Sequence, residues 1–489
     1  MSKQTRRTFL MKAAGAAAAV SVVPRIARAD VNSQPRVAVI GFNGQGKSHI
    51  RAYKDHLVAL CDCDSNVLGR AAESFENENG RKVDQVTDFR RILDRNDIDV
   101  ISTATPNHLH SLITVLAAQA GKDVYCEKPL CHTVWEGRQV VNAAKKYNRI
   151  IQCGTQARSS RAIKNAVEYA QSGKLGKILC VTGTCYKPRK SIGKSDTPLK
   201  IPSFIDYDLW CGPAAKVDLY RPERNSQGRY NPHYDWHWDY NTGNGDMGNQ
   251  GIHQMDVARW FHGAKALSPR VVSYGGRLGY DDAGNSANTQ VVFHDYPEFP
   301  LIFETRGLPE SKAAQRNWDR SMDKFKGSQI GVVVQCENGY VLSTSSYSEC
   351  RAFDNDGQQI ERWRGGGNHH ENFLAAVKSR NPADLNADAL TGHLSSSLCH
   401  TGGISHQLGE KQTARQIMEL VGKNEYLRDA VDRMLQHLKA NEIDIDQPVV
   451  TAGADLKMDP ATERFTNNQA ADEMLRRADR APFVVPEIA

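Results

Sequence analysis

The sequence predicts an α/β plus α+β protein, in which a doubly wound parallel sheet is followed by a domain with a large, mainly antiparallel open sheet. Residues 36–154 alternate short β-branched runs such as RVAVI, LVALC and DVIST with amphipathic segments, a pattern typical of a parallel sheet covered by helices. After residue 154, strand-like runs such as TQVVFH and LIFETRG follow one another closely, which favours antiparallel pairing.

The C-terminal part of the chain has a different texture. From residue 369 it becomes helical and polar, and the runs ENFLAAVKS and YLRDAVDRMLQHLKA carry apolar residues at helical spacing. The final PFVVPEIA is apolar and rich in proline, which favours a strap docked on the body over a loose tail. We therefore divide the chain into a leader at 1–29, a first domain at 30–154, a second domain at 155–410, and a helical extension with its strap at 411–489.

The leader has the features of a twin-arginine export signal. Arg6 and Arg7, in TRRTFL, precede an uncharged alanine-rich stretch and an Ala-Arg-Ala cleavage site at residues 27–29. The stretch is shorter than the about 20 apolar residues that a membrane span needs. We predict export by the twin-arginine machinery to the periplasm or beyond, cleavage of the leader, and no stable membrane insertion afterwards.

Charge and cysteine content exclude several classes of function. The formal net charge is +6, but the leader holds six basic residues and no acidic one, so the processed chain is close to neutral and no nucleic-acid partner is predicted. The 11 cysteines do not show the paired loop spacings of a disulfide framework, so we expect buried free thiols. Cys61 and Cys63 lack a second Cys/His pair at zinc spacing, so no metal site is predicted.

A glycine-rich turn follows the first predicted strand. GFNGQG, residues 41–46, lies between RVAVI and a helix, where glycines let backbone amides approach a pyrophosphate. The next strand ends at Asp62, 21 residues after Gly41. A carboxylate there accepts hydrogen bonds from a ribose 2′-hydroxyl and repels a 2′-phosphate, which favours NAD over NADP. Asn43 departs from the usual glycine spacing, with Gly44 next to it, but Asn tolerates positive φ.

Two further motifs stand where later strands should end, TATPNHLH at residues 103–110 and CEKPL at residues 126–130. In a doubly wound sheet, ligands bind beyond the carboxyl ends of the strands, so both motifs belong to the cofactor rim. The predicted cofactor-binding residues are Gly41, Asn43, Gly44, Gln45, Gly46, Asp62, Thr105, Pro106, Asn107, His110, Glu127 and Lys128.

The order of a glycine-rich turn, TPNxxH and EKP resembles the Gfo/Idh/MocA oxidoreductases, which include glucose-fructose oxidoreductase and inositol 2-dehydrogenase. GNQGIHQMDVARWFHG, residues 248–263, resembles the family helix that carries an aspartate and, four residues later, a histidine. The resemblance runs from about residue 36 to residue 263, with a weaker echo in HHENFLAAVKSRNP. It implies a Rossmann domain, an α+β domain whose open sheet often makes oligomer contacts, a nicotinamide between them, and a homo-oligomer.

The resemblance also implies catalytic roles. Lys128 would lie beside the nicotinamide and the reacting hydroxyl, and His253 would accept the hydroxyl proton. Alcohol oxidation requires such a base while the cofactor takes hydride, and histidine titrates in the useful range. The family's aspartate position holds Asn249 here, one helical turn before His253, and an amide cannot stabilise an imidazolium as a carboxylate does. Asp246, seven residues before His253, is a candidate to replace that carboxylate.

Residues 230–246, YNPHYDWHWDYNTGNGD, combine aromatic rings with amide and carboxylate groups. Such a set suits a pyranose ring, which has apolar faces and polar edges, but the same aromatics could instead anchor the loop to the core. Lys187 is a lesser candidate by position. The predicted substrate-binding residues are Tyr186, Trp236, His237, Asp246 and His253.

Three functions remain open. The leading hypothesis is an NAD(H)-dependent oxidoreductase that transfers a hydride between a tightly bound nicotinamide and a sugar or cyclic polyol, including an enzyme that recycles its own cofactor. The alternative is an NAD-dependent glycoside hydrolase that oxidises a sugar transiently and releases the aglycone by elimination. A non-catalytic sugar- or NAD-binding protein is the third, and the presence of both Lys128 and His253 argues against it.

Overall fold

The computed structural model describes residues 34–225, 228–318 and 320–489. The predicted leader lies outside these residues. Six parallel strands form the first sheet, in the order β3-β2-β1-β4-β5-β6. They are β1 Val37–Ile40, β2 Leu57–Cys61, β3 Asp84–Val86, β4 Val100–Thr103, β5 Asp123–Cys126 and β6 Ile151–Cys153. The doubly wound prediction is confirmed, and only the short, polar edge strand β3 was missed, because Asp84 and Gln85 carry no strand signal.

Helices cover both faces of this sheet, which explains why β1, β4, β5 and β6 are buried throughout. They are α1 Gly46–Ala52, α2 Ser65–Asn79, α3 Phe89–Leu93, α4 Asn107–Gln119 and α5 Val134–Lys146. The strand order reverses between β1 and β4, and the crevice beyond the carboxyl ends of these two strands is where such sheets bind ligands.

The second domain is built on a 12-stranded sheet. Its first strands are β7 Ile178–Tyr186, β8 Arg270–Gly276, β9 Thr289–His294, β10 Leu301–Arg306, β11 Ile330–Cys336, β12 Gly339–Thr344, β13 Glu349–Asp354 and β14 Gln359–Arg364. Strands β7 and β10 pair in parallel, while β8–β9, β9–β10, β7–β11 and the meander from β11 to β14 are antiparallel. The mainly antiparallel prediction is confirmed.

The helices of the second domain are α6 Arg161–Gln171, α7 Tyr207–Cys211 and α8 Ile252–His262. A π-helical turn, Met247–Gly251, leads directly into α8. Short 3-10 turns occur at Gln156–Ser159, Asp235–Trp238, Ala313–Asn317 and Pro382–Asp384. Helix α8 packs on the inner face of the large sheet through Val257, Ala258 and Phe261, which fixes the start of the helix at the interdomain crevice.

The C-terminal segments add to both domains. They are α9 His369–Ser379, α10 Ala389–Gln407, β15 Glu410–Gln412, α11 Ala414–Leu420, α12 Glu425–Ala440, β16 Val450–Ala452, β17 Leu456–Asp459, β18 Arg464–Phe465 and α13 Gln469–Glu473. Strands β15 to β17 extend the large sheet, and α11 and α12 pack on its outer face. The last residues return to the first domain, where Phe483, Val485 and Ile488 join its apolar core.

The cysteines are free thiols, and all are buried except the partly buried Cys63. Among the residues that the structure describes, no helix is both long enough and apolar enough to cross a membrane.

Candidate active site

A cavity of about 700 Å³ lies at the carboxyl ends of β1, β2, β4 and β5, between the two domains. The first domain contributes the glycine-rich turn, Asp62 and the two rim motifs. The second contributes Lys187, the start of α8, the aromatic segment and the turn between β12 and β13. All the predicted cofactor-binding residues except Gly46 line this cavity.

The glycine-rich turn needs glycine at two positions. Gly41 has a φ of +75°, and a Cβ there would lie 2.9 Å from the backbone of Thr105. A Cβ at Gly46 would overlap the carbonyl oxygen of Gly41, so Gly46 acts by allowing β1 and α1 to approach closely. Gly44 has open space on its Cβ side, which leaves room for a ligand against the backbone.

Asp62 ends β2 on the cavity wall. Its carboxylate accepts hydrogen bonds from the backbone N–H of Phe42, at 3.1 Å, and of Asp64, at 3.0 Å. Burial raises the pKa of Asp62 to about 6, although both backbone donors act in the opposite direction. Each oxygen retains a lone pair, so the carboxylate can still accept a ribose hydroxyl. Turn, open Cβ side and carboxylate together fit a dinucleotide.

The rim motifs are held by buried hydrogen bonds. In His110, Nδ1 lies 2.6 Å from the carbonyl oxygen of Pro129 and Nε2 lies 2.8 Å from that of Thr105, and the ring nitrogen that carries the proton donates to its carbonyl. His110 thereby ties the end of β4 to the end of β5. Glu127 accepts from Gln156, at 2.9 Å, and contacts Nε2 of His49 at 3.2 Å. Burial alone would raise the pKa of Glu127, but the His49 contact and the charge of Lys128 hold it well below its usual range.

Lys128 and His253 both line the cavity, from opposite domains. The ammonium of Lys128 donates to the carbonyl of Asn249, at 2.9 Å, in the π-helical turn before α8. Burial lowers the pKa of Lys128, while the charge of Glu127 opposes that shift. Burial, followed by the charge of Lys128, lowers the pKa of His253 to about 3. Its buried Nδ1 has no hydrogen-bond partner among the described residues, and the ring is neutral at pH 7.

Residues 35–155 match the Gfo/Idh/MocA family model described as an oxidoreductase family with an NAD-binding Rossmann fold, and residues 158–298 match the C-terminal alpha/beta domain of the same family. Together these segments cover more than half of the chain. The chain belongs to the Gfo/Idh/MocA oxidoreductase family. The predicted family resemblance is thus confirmed, and its first domain is an NAD-binding Rossmann domain.

Individual relatives match over shorter stretches. A levoglucosan dehydrogenase of Pseudarthrobacter phenanthrenivorans is 33% identical over 160 residues, which is 30% of this chain and 40% of that protein. An inositol 2-dehydrogenase of Salmonella typhimurium is 27% identical over 180 residues, 36% of this chain and 52% of that protein. A glycosyl hydrolase family 109 protein of Shewanella is 28% identical over 152 residues, 29% of this chain and 33% of that protein. The chain therefore spans about half or less of these relatives' length.

Solved structures with the same fold include two dehydrogenases. A levoglucosan dehydrogenase in complex with NADH and levoglucosan has a TM-score of 0.53 at 19% identity, and covers 75% of this chain and 95% of its own. The WlbA dehydrogenase of Bordetella pertussis, in complex with NADH and UDP-GlcNAcA, has a TM-score of 0.52 at 17% identity, with coverages of 75% and 95%. At these identities the likeness establishes the shared fold.

Two of the residues predicted for the site do not line the cavity. Asp246 does not face His253, because its buried carboxylate pairs with Arg189 at 2.6 and 2.9 Å. Tyr186 does not line the cavity, because its hydroxyl donates to Glu304, at 2.6 Å, inside the sheet. Side chains alternate along a strand, so the next residue, Lys187, points into the cavity instead.

In the aromatic segment, residues 230–246, some side chains line the cavity and others anchor the segment to the core. Trp236 and His237 line the cavity and stack with ring centroids 3.6 Å apart. Trp238 is buried beneath them, 4.9 Å from the guanidinium of Arg189. Arg189 thus links Asp246 to Trp238, which directly follows Trp236 and His237 in the chain.

The sequence did not predict the segment that covers the cavity next to Asp62. His233 Nε2 lies 2.9 Å from the carboxylate of Asp64. The N–H of Ser65 donates to Phe204, and the N–H of Asp206 donates to Cys63, each at 2.9 Å. The cover segment, residues 201–225 and 228–234, therefore crosses the end of β2 next to Asp62. Its pairing partners are far apart in the sequence, so no local motif signals it.

Tyr347 was also missed. It lies in the turn between β12 and β13, lines the cavity, and has its ring centroid 5.6 Å from that of His253. A single tyrosine in a polar turn carries no sequence signal, since only the folding of the large sheet brings that turn to the crevice.

Proposed function

We propose that this protein is an NAD(H)-dependent oxidoreductase that transfers a hydride between nicotinamide and a sugar or cyclic polyol, and that it retains its cofactor between turnovers. The observation that carries the proposal is an interdomain cavity that is lined by Asp62, at the predicted ribose end, and by Lys128 and His253 from opposite domains. Relatives named levoglucosan dehydrogenase and inositol 2-dehydrogenase support this substrate class.

The residues present have distinct tasks. The turn at residues 41–46 and the start of α1 would hold the pyrophosphate through backbone N–H groups, and Asp62 would accept the ribose hydroxyls. When bound, the nicotinamide supplies the hydride acceptor or donor. His253, neutral because it is buried beside a cation, accepts the proton of the reacting hydroxyl. Lys128, aimed by the carbonyl of Asn249, places an ammonium group next to the oxygen that loses that proton.

Retention of the cofactor follows from the cover segment. Its contacts with Cys63, Asp64 and Ser65 cover the cavity beside Asp62, where the adenosine end of a dinucleotide would lie. Release would require these contacts to break. An enzyme of this kind would have to reoxidise its cofactor with a second substrate in the same site.

A glycoside hydrolase that uses NAD is the second candidate. Relatives named glycosyl hydrolase family 109 proteins favour it, in alignments of 152 and 203 residues that cover 29% and 36% of this chain. In such a reaction the sugar is oxidised, the proton on the neighbouring carbon becomes acidic, the aglycone leaves by elimination, and the hydride is returned after water adds. His253 and Lys128 would serve this chemistry equally well, and the retained cofactor also fits it.

The test is purification without added cofactor, followed by absorbance and fluorescence spectra of the protein. We expect bound NAD(H). Free sugars, polyols and glycosides are then screened while absorbance at 340 nm and product release are both recorded. Release of an aglycone without net NADH supports the hydrolase, while oxidation of a sugar or polyol supports the oxidoreductase. A protein that binds no NAD(H) and turns over none of these compounds contradicts both.

Export and self-association complete the proposal. Arg6 and Arg7 support export by the twin-arginine machinery, and replacement of both by lysine should leave the unprocessed chain in the cytoplasm, as fractionation of cells will show. The edge strand β14 is exposed at every residue but the partly buried Trp363, which supports a homo-oligomer assembled through this part of the large sheet. Light scattering on the purified protein measures the oligomer number. A protein that is monomeric at all concentrations contradicts the proposed self-association.

A further inference from the structure

Tyr347 lies in the cavity but has no role in the proposed reaction so far. The matched family segments end at residue 298, so this tyrosine comes from a part of the chain that the family models do not describe. Its φ is +53°, in the left-handed region that a non-glycine residue rarely adopts. The turn therefore holds Tyr347 in an unusual backbone conformation, with its ring at the cavity wall.

The hydroxyl of Tyr347 accepts two hydrogen bonds. Nε2 of Gln254 donates to it at 2.8 Å, and Nε2 of Gln250 donates to it at 3.1 Å. Gln250 belongs to the π-helical turn and Gln254 to α8, so both come from the segment that carries His253. The tyrosine and the histidine are thus positioned by the same two turns of helix.

The orientation of both amides is fixed by a lysine. The ammonium of Lys187 lies 2.8 Å from Gln250 at Oε1, and because an ammonium only donates, the atom that it meets must be the oxygen. Nε2 of Gln250 therefore faces Tyr347, and it also approaches Oε1 of Gln254 at 3.4 Å. That contact in turn directs Nε2 of Gln254 to the tyrosine.

A tyrosine hydroxyl has two acceptor lone pairs and one proton to donate. Both lone pairs of Tyr347 are used by the glutamines, and no described residue accepts its proton. Tyr347 lines the cavity, so a molecule bound there is the acceptor that remains for this proton. We propose that the Tyr347 hydroxyl donates a hydrogen bond to an oxygen of the substrate bound next to His253, and so selects substrates that have a hydroxyl or ring oxygen at that position. This inference rests on the proposed function.

The Tyr347 hydroxyl can therefore only donate a hydrogen bond to a substrate, because both of its acceptor lone pairs are already used. A site built to bond a substrate oxygen rejects the analogue that lacks it, because the buried polar group is left without a partner. The glutamine pair and Lys187 prevent Tyr347 from rotating its proton toward the protein. The position therefore discriminates between a substrate and its deoxy analogue more sharply than an ordinary hydroxyl would.

The test compares Tyr347→Phe with Tyr340→Phe, on the substrate found in the screen and on its series of monodeoxy analogues. Tyr340 lies on the same hairpin and stacks on Phe353, with ring centroids 4.8 Å apart, so its variant controls for changes to the hairpin. We expect kcat/KM of the wild-type protein to fall about 10- to 100-fold for one analogue, and Tyr347→Phe to lose about the same on the parent substrate. When Tyr347→Phe acts on that deoxy analogue, the loss of kcat/KM should be little greater than the loss from either change alone.

Other outcomes overturn the inference. If Tyr347→Phe discriminates among the analogues as the wild type does, or changes only the melting temperature, the tyrosine packs the turn and does not bind substrate. Equal losses for Tyr340→Phe also contradict it. If the wild-type protein turns over no sugar, polyol or glycoside, the proposed function fails and the inference fails with it, and that result appears before any variant is made.

Discussion

At the scale of single residues, His253 shows how the site sets the charge of its own base. Burial and the adjacent ammonium of Lys128 both disfavour the protonated ring and lower its pKa to about 3. The resemblance led us to expect a carboxylate that stabilises the imidazolium, but position 249 is an amide and Asp246 is bound by Arg189. The structure therefore keeps His253 neutral, because burial and Lys128 outweigh the carboxylates of Glu127 and Asp256, which favour the charged ring.

We predict that His253→Asn lowers kcat by about 10²- to 10⁴-fold while NAD affinity changes little, because general-base catalysis is lost without disturbing the Rossmann domain. His262→Asn is the control, since it lies at the other end of α8 and contacts the carbonyl of Phe299 at 2.9 Å. Steady-state kinetics and titration of NAD fluorescence measure the two effects. Equal losses in both variants would mean that disruption of the helix, and not loss of the base, lowers activity.

At the scale of elements, the β1–α1 turn keeps its function despite an unusual glycine spacing. Gly41 and Gly46 have no room for a side chain, whereas Gly44 faces open space. Asn43 occupies the position where the family fingerprint usually has glycine, and the backbone next to it stays accessible through Gly44. With Asn at position 43, it is thus Gly44 that leaves room for the pyrophosphate.

We predict that Gly44→Ala changes the stability of the cofactor-free protein by less than about 0.5 kcal/mol, because its Cβ meets no atom within 4 Å. The same methyl group should weaken NAD binding by about 10-fold or more, since it occupies the space against the backbone. Gly69→Ala, in α2 and equally open, serves as the matched control. Calorimetric titration of NAD into protein stripped of cofactor measures the affinity. If Gly44→Ala binds NAD as tightly as the wild type, the pyrophosphate does not lie against the backbone of residue 44.

The C-terminal strap is an element without regular structure that still belongs to the core of the first domain. Phe483 is 2% exposed, whereas its neighbour Val484 is 48% exposed. Arg480 donates to the carboxylate of Asp208 at 2.7 Å and fixes the start of the strap. The alternation of buried and exposed side chains shows one face of an extended segment packed on the domain.

We predict that Phe483→Ala destabilises the protein by about 3 to 5 kcal/mol, the usual cost of removing a buried phenyl group. Val484→Ala should cost less than about 0.5 kcal/mol, because that side chain remains largely in water. Thermal unfolding followed by calorimetry compares the two variants. A small effect at both positions would show that the strap contributes little to the core.

At the scale of the whole molecule, several buried histidines couple stability to pH. Burial lowers the pKa of His108, His253, His294 and His400 to about 3 each. An unfolded chain binds protons to these side chains near pH 6.5, so it holds more protons than the folded chain between pH 3 and 6.5. Stability therefore rises with pH through this window and is lost as pH falls below 6.5. Asp62, whose pKa burial raises to about 6, acts in the opposite direction.

We predict that the melting temperature falls between pH 7 and pH 5, and that His294→Leu reduces this fall. Each such histidine contributes a slope approaching 1.4 kcal/mol per pH unit, and leucine at this fully buried position on β9 removes one of them. Calorimetric scans at pH 7, 6 and 5 measure both effects. A melting temperature that stays level or rises on acidification contradicts the buried, neutral state of these rings.

The catalytic candidates Lys128 and His253 came from the resemblance to the family, whereas the sequence by itself determined the Rossmann domain, its glycine-rich turn and the cofactor candidate Asp62. It could do so because local periodicity defines strands and helices, and because the carboxyl ends of parallel strands meet at one edge of their sheet. Only the tertiary structure decided which second-domain side chains reach that edge. Lys187 does and Tyr186 does not, Asp246 is bound by Arg189, and Tyr347 arrives from a distant turn. These outcomes depend on strand register and on pairings between remote segments, which no local pattern in a sequence encodes.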